Sequence, residues 1–325
     1  MKNKLMKHMD EMLPFIILLL MLLIFTATTR GSIFDGSNLM LIVKQTLNVI
    51  IAALGMLFVG AMGGTDITQG SLVGFAGACA TVAAINHGMA AAVLAALVAG
   101  ALSGIFLGIC NAVFKVPSFM CSLAMLIALR AMGTVAMGGS SSGLKVPAFL
   151  ITLDNNALKI PVVILLIVIV WYVFNKTRFG AYCRSIGENE NAVKFAGVNV
   201  RKIKIIAYAL SGLFTGIASL FVLARVGGCS TTLGLGFEMR VMMAMFIGGI
   251  PVEGGSGTRL YKMLVGAFMI TLLENGLVLT GSSGSITQLV RGIVLLGVVW
   301  LTIVIKKKVA RTRVDMAMQE AKTEG

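Results

Sequence analysis

Apolar runs of membrane-crossing length follow one another along almost the whole chain, and a chain of this kind has few ways to fold. They lie at about 12–29, 40–62, 71–86, 89–113, 118–138, 161–175, 205–225, 237–250, 263–280 and 288–305. A hydrocarbon core takes about 20 helical residues to cross, and inside it only helices or closed barrels satisfy every backbone polar group. With 58% of 325 residues hydrophobic and 12% charged, the expected fold class is all-α: a polytopic transmembrane helical bundle of roughly 8–10 spans, some short or broken. The runs near 71 and 237 are the short ones. A re-entrant or broken helix there requires protein or a water-filled path to satisfy its freed backbone groups. The 38 Gly residues, with frequent Ala and Ser, suit helices whose backbones approach closely.

One long polar interval, 176–204, interrupts these runs in mid-chain and carries Lys176, Arg178, Arg184, Lys194, Arg201, Lys202 and Lys204. Inside it Gly187-Glu188-Asn189 reads as a helix start, Ala192, Val193, Phe195 and Ala196 as an apolar patch, and Gly197 as a C-terminal cap. Isolated helices shorter than about 12–15 residues are not stable in water, so this one needs a docking surface. A basic loop by itself is also what any cytoplasmic connection of a membrane protein carries.

Charge orients the rest. If residues 1–11 form a cytoplasmic N-terminus and 12–305 the membrane domain, the inside face collects Lys2, Lys4, Lys7, Lys115, the 176–204 interval, Arg259, Lys262 and the basic stretch that opens a cytoplasmic tail over 306–325. That is most of the 27 Lys and Arg, as the positive-inside rule requires. The first apolar run resembles a secretory signal, but Asp10, Glu11 and a weak small-residue site at 26–28 favour an uncleaved span. The formal charge of +14 does not imply nucleic acid, because the basic residues lie between membrane runs without interleaved aromatics.

Catalytic chemistry finds no foothold. The five Cys form no C-x-x-C pair, and with two His they match no metal-site spacing, so neither disulfide, metal nor other cofactor is expected. No phosphate-binding loop, nucleophile elbow or H-E-x-x-H pair is present, which points away from an enzyme and leaves energy to a partner or an ion gradient. An ion-coupled secondary transporter would need a mid-span relay, for which only Asp66, Glu238 and Glu274 are candidates. Each could equally be a structural ion pair with Arg130, Arg240 or Arg291. Glu274 and Asn275 interrupt an apolar run and, with Thr271 and Val278 at helical spacing, form a short polar stripe suited to a cavity wall.

Two Gly-rich loops share a spacing: Gly63-Gly64 precedes Gly70-Ser71 by seven residues, and Gly248-Gly249 precedes Gly255-Ser256 likewise. They read as hinges, with Pro251 ending the helix before the second. Either a remnant of an internal repeat or coincidence in a Gly-rich chain accounts for the match.

The run TRFGAYCRSIGENENAVKFAGVNV, from Thr177 to Val200, resembles the cytoplasmic coupling segment of ribose-type sugar permeases of bacterial ATP-binding-cassette importers. Its framework is Phe179-Gly180, Ile186-Gly187, Asn189, Ala192, Ala196-Gly197 and Val200. Both Gly-rich loops, 108–111 ending in Asn111, 117–119, Arg130 and 234–249 with Glu238 extend the resemblance over about residues 45 to 303. Departures are Ala112 in place of a Gly, Met239-Arg240 in place of a more apolar or acidic pair, Ile250 to Glu253 in place of a Thr-Ser-Leu run, and Glu274 in place of an Asn.

The resemblance implies that Gly187, Glu188, Asn189, Ala192, Phe195 and Gly197 couple the chain to a cassette ATPase subunit. Asp66, Asn111, Glu238, Glu274 and Asn275 become candidates for a translocation pathway, with Gly63, Gly64, Gly248 and Gly249 as hinges. It further implies a second permease copy, an extracytoplasmic solute-binding protein and a lipid-embedded homodimer in a bacterial inner membrane, with both termini cytoplasmic. A monosaccharide or similar small polar solute is the expected cargo; branched-chain amino acids and nucleosides remain open.

Overall fold

The computed structural model describes residues 2–139 and 143–297, with residues 300 and 304; the expected tail 306–325 lies outside the described residues. Ten helices follow in order: α1 (Lys2–Thr28), α2 (Gly36–Ala61), α3 (Gln69–Ala112), α4 (Ser118–Ala136), α5 (Ala148–Ile151), α6 (Asn156–Lys176), α7 (Arg178–Phe195), α8 (Val200–Val226), α9 (Phe237–Ile247) and α10 (Leu260–Leu279). An apolar α11 (Gly284–Gly297) comes next. The only sheet among the described residues is a two-residue antiparallel pair, β1 (Leu144–Lys145) against β2 (Gly228–Cys229), with Leu144 opposite Cys229. Six of the helices are long and apolar enough to cross a membrane, and the bundle is all-α as composition requires.

The 44 residues of α3 would run about 66 Å if straight, roughly twice the hydrocarbon thickness. Gly88, at φ 80° and ψ −165°, breaks the helix in a region that only Gly occupies readily. The halves 69–87 and 89–112 then run in opposite directions along α8. Gln69 meets Ser211 and Gly77 lies against Leu223, whereas Gly100 lies against Gly216 and Gly104 against Tyr208. The apolar runs expected at 71–86 and 89–113 are therefore two separate passes.

Two short segments start inside the bundle, as their lengths suggested. Gln69, the first residue of α3, is level with the middle of α8. The 11 residues of α9 span only about 16 Å. Gly234, just ahead of α9, packs on the Gly70 backbone, so the two half-depth starts lie side by side.

The most extensive packing joins α3 to α8. Gly100, Gly104 and Gly108 recur every fourth residue on α3 and face Gly212, Gly216 and the Tyr208 backbone of α8; a Cβ on Gly104 would strike the Tyr208 carbonyl. This is small-residue packing without room for a methyl group.

The two Gly-rich loops meet at one end of the bundle. A Cβ on Gly63 would approach the Glu253 backbone, and one on Gly254 the Ala61 carbonyl and Gly63 nitrogen. Their shared spacing does not give equivalent structure. Gly70-Ser71 lies buried in the first turn of α3, while Gly255-Ser256 belongs to a 3-10 turn at the surface of α7.

Candidate functional site

The helices α2, α8 and α10 have two structurally different ends. At the end that contains Ala61, Val200 and Leu260, the chain folds α7 across the Gly-rich loops. Toward the other end a cavity of about 470 Å³ opens between α2, α8, α9 and α10 and the 230–235 loop. Roughly 20–35 Å of helix separates the two features.

Polar groups are concentrated on the cavity wall: Gln45 and Asn48 from α2, Arg225 from α8, Arg240 from α9, and Thr271, Glu274 and Asn275 from α10. The polar stripe expected on α10 thus faces a cavity, with Val278 one turn further along. Glu274 is clasped by two guanidiniums: Arg291 Nη2 lies 2.5 Å from Oε1 and Arg240 Nε 3.1 Å from Oε2. This triad ties α9, α10 and α11 together, and it selects Arg240 and Arg291 from the three arginines considered for pairing. Arg130 instead donates from Nη1 to the Leu233 carbonyl (2.9 Å), so it clasps the loop that forms one wall. Asn275 exchanges hydrogen bonds with Asn38 at the start of α2, at 2.8 and 3.0 Å, which closes the α2–α10 seam.

The other pathway candidates lie away from this wall. Asp66 is 2% exposed; Oδ1 accepts from the Thr68 N–H (3.0 Å) and hydroxyl (2.5 Å), and Oδ2 from the Ser211 hydroxyl (2.7 Å). Its geometry is that of an Asx turn leading into α3, pinned to α8 through Ser211. Asn111 donates to the Val116 carbonyl at 3.0 Å and closes the turn into α4. Glu238 packs against the Gly70 backbone, beside the two half-depth starts. Sequence reasoning missed Arg225, Asn48 and Gln45; each lies within an apolar run and lacks a neighbouring motif to mark it.

The surface helix α7 is two pieces joined at Asn189, where φ is −160° and ψ 100°. Asn189 Oδ1 accepts from the Ala192 N–H at 3.0 Å in N-cap geometry, so of the expected start at Gly187-Glu188-Asn189 only Asn189 opens the second piece, while Gly187 and Glu188 end the first. Gly197, at φ +78°, supplies the left-handed turn that ends the second piece. The first piece is fastened inward. Arg184 donates to the Phe174 carbonyl at 2.7 Å and stacks on the Phe174 ring, Cys183 and Ile186 are buried, and Gly187 packs on the Ala61 carbonyl and Gly255 nitrogen. Glu188 Oε1 accepts both the N–H and the hydroxyl of Ser256 at 2.7 Å. Burial lowers the Arg184 pKa from its ordinary value and pushes the Cys183 thiol up to about 12.

The second piece divides its apolar residues between two faces. Val193 turns inward onto Ile186 and Val200, whereas Ala192, Ala196 and Phe195, the last 93% exposed, face outward. Glu190 bonds Lys194 (2.6 Å) and Lys204 (2.8 Å); burial would raise its pKa, and the two ammonium groups outweigh that and hold it below the carboxylate range. Of the hinge glycines, Gly63 and Gly249 adopt positive φ, while Gly248 allows close approach of the Lys262 carbonyl.

A ligand-sized cavity among membrane-crossing helices, with polar groups on part of its wall and an outward apolar tip at the opposite end, fits a permease-type membrane subunit. The family profile for the permease component of branched-chain amino acid transport systems matches residues 38–299. The ribose import permease protein of Escherichia coli (strain K12) is 34% identical over 290 residues, 86% of this chain and 90% of that protein. A probable ABC transporter permease protein of the same strain is 30% identical over 312 residues, 94% and 93%. The fructose import permease protein of Rhizobium meliloti is 29% identical, over 87% and 82%. No solved structure is a significant match. The chain belongs to the ribose-type family of ATP-binding-cassette permease subunits.

Proposed function

We propose that this chain is the non-catalytic, membrane-spanning subunit of an importer that moves a monosaccharide or similar small polar solute, handed over by an extracytoplasmic binding protein and driven by a separate cassette ATPase. The observation that carries the reading is the placement of a cavity with polar groups on its wall and an inwardly fastened, outwardly apolar helix at opposite ends of the same three helices. Phe195, Ala192 and Ala196 offer a small apolar knob to a soluble partner, while Glu188, Arg184 and Gly187 transmit its movement to the loops at 63–64 and 248–257. The α7 end faces the cytoplasm, the cavity faces outward, and both termini are cytoplasmic, in a bacterial inner membrane. Two copies work together because one α7 engages one cassette and such cassettes close in pairs.

The ribose and fructose permeases among the relatives support a sugar as cargo. A branched-chain amino acid is the second reading, resting on the description of the family profile. Co-purification with candidate cassette ATPases, followed by ATP hydrolysis measured with and without solute-loaded binding protein, tests the proposal. Stimulated hydrolysis is expected; a chain that never retains an ATPase contradicts it.

A further inference from the structure

The charges on the cavity wall do not balance. Arg225 and Arg240 line it together with one carboxylate, Glu274, the only acid among its lining residues, and Glu274 also holds Arg291 from behind the wall. Glu274 is spent on Arg240 and Arg291. The side chain of Arg225, half-buried in the last turn of α8, makes neither hydrogen bond nor salt bridge among the described residues. The carboxylate whose field reaches it, Asp154, is already bonded to the buried Lys159 at 2.8 Å, with Lys44 4.0 Å away. On the same cavity wall Asn48, 6% exposed, leaves its carboxamide oxygen without a partner among the described residues.

Partly buried charge is costly unless something offsets it, and an uncompensated charged group lining a cleft is a candidate for ligand binding. A neutral sugar offers hydroxyls to Asn48, Gln45 and Asn275 but leaves the cationic excess in place. An amino acid would bring an ammonium group, and the one carboxylate that could take it is occupied by two guanidiniums.

We propose that the solute this permease admits is an anionic sugar: a polyol whose carboxylate or phosphate oxygens pair with Arg225 and Arg240, with its hydroxyls on Asn48 and Gln45. Arg240 is the better placed of the triad to share, since its side chain is 42% exposed while that of Arg291 is 14% exposed. Binding is weak by design, because a solute held tightly in a conduction path would not leave it. The anion supplies the missing charge during passage and carries it onward. This inference rests on the importer reading and adds the charge of the cargo to it.

The test uses the full-length permease with its ATPase in lipid nanodiscs. Equilibrium dialysis compares galacturonate and glucose 6-phosphate with galactose, glucose and isoleucine. At least one anion is expected to bind about tenfold more tightly than its neutral counterpart, with the preference weakening as salt rises. Which anion wins separates a planar carboxylate from a phosphate as the natural group. Arg225→Gln, which breaks no pair within the fold, is expected to reduce that preference on the order of tenfold, and Arg225→Lys to restore part of it.

Equal binding of neutral and anionic sugars, tighter binding of isoleucine, an unchanged preference in an Arg225→Gln/Arg240→Gln variant, or no saturable anion binding up to about 50 mM would each overturn the inference. ATP-driven uptake into vesicles is scored separately. Uptake confined to neutral sugars removes only the anion, whereas loss of all ATP dependence in the parent removes the importer reading itself.

Discussion

Glu188 accepts the backbone N–H and the hydroxyl of Ser256 through a single carboxylate oxygen, both at 2.7 Å, and so locks α7 onto the loop that opens α10. Two such bonds to a partly exposed carboxylate are worth about 1 kcal/mol each. Glu188→Gln is expected to keep half of this and Glu188→Lys to lose all of it, without affecting membrane insertion, which depends on the apolar runs. Hydrogen exchange over 178–195, compared between the two variants, checks the order. Equal protection in both would show that Ser256 is not the anchor.

Cys183 reports on the same joint. Burial raises its thiol to about 12, so near pH 7.5 almost no thiolate is present and maleimide labelling of a Cys183-only variant is expected to be slow. Replacing Gly187 with Leu, which drives a side chain into the Ala61 carbonyl, is expected to speed labelling at least about tenfold as α7 lifts. Rapid labelling of the parent would contradict the buried placement.

Most of the architecture was legible because the bilayer demands it. The apolar runs became apolar helical segments, including the half-depth starts of α3 and α9 and, within the described residues up to 297, the run expected at 288–305, since hydrocarbon leaves the backbone no alternative. The caps at Asn189 and Gly197 were legible for a similar reason: their geometry is local. What the sequence could not display is pairing at long range. The reciprocal bond of Asn38 and Asn275 joins residues 237 apart in the chain. Arg240 and Glu274, each a departure from the family pattern, turn out to be partners. Nor did Arg130 announce that it would bind carbonyls in preference to an acid.

The Glu274 triad makes a quantitative case. Removing its carboxylate with Glu274→Gln leaves two guanidiniums facing each other, one of them largely buried, and is expected to destabilise the protein by about 3 kcal/mol. Arg291→Gln in the same background is expected to recover at least half of that, because the stranded charge goes with it. Thermal unfolding of both variants in detergent supplies the comparison. Additive losses in the double variant would mean that Glu274 and Arg291 do not interact.

Packing of α3 on α8 leaves no space at Gly104 or Gly212, where a Cβ would meet opposing backbone. Gly104→Leu is expected to cost roughly 3 kcal/mol or more and to lower the amount of folded protein recovered from membranes. Gly284→Leu is the control, since no neighbouring atom lies near its Cβ position and it should behave as the parent.

The decisive observation is sugar uptake into vesicles that contain the permease, its cassette ATPase and a loaded binding protein. Labelled solute is supplied outside and either ATP or an imposed proton gradient provides the energy. Accumulation is expected only with ATP, and Gly197→Trp, which forces a bulky side chain onto the left-handed turn behind Phe195, is expected to abolish it while leaving membrane abundance unchanged. Accumulation driven by the proton gradient without ATP, or undiminished ATP-driven uptake in Gly197→Trp, would contradict a permease worked through α7.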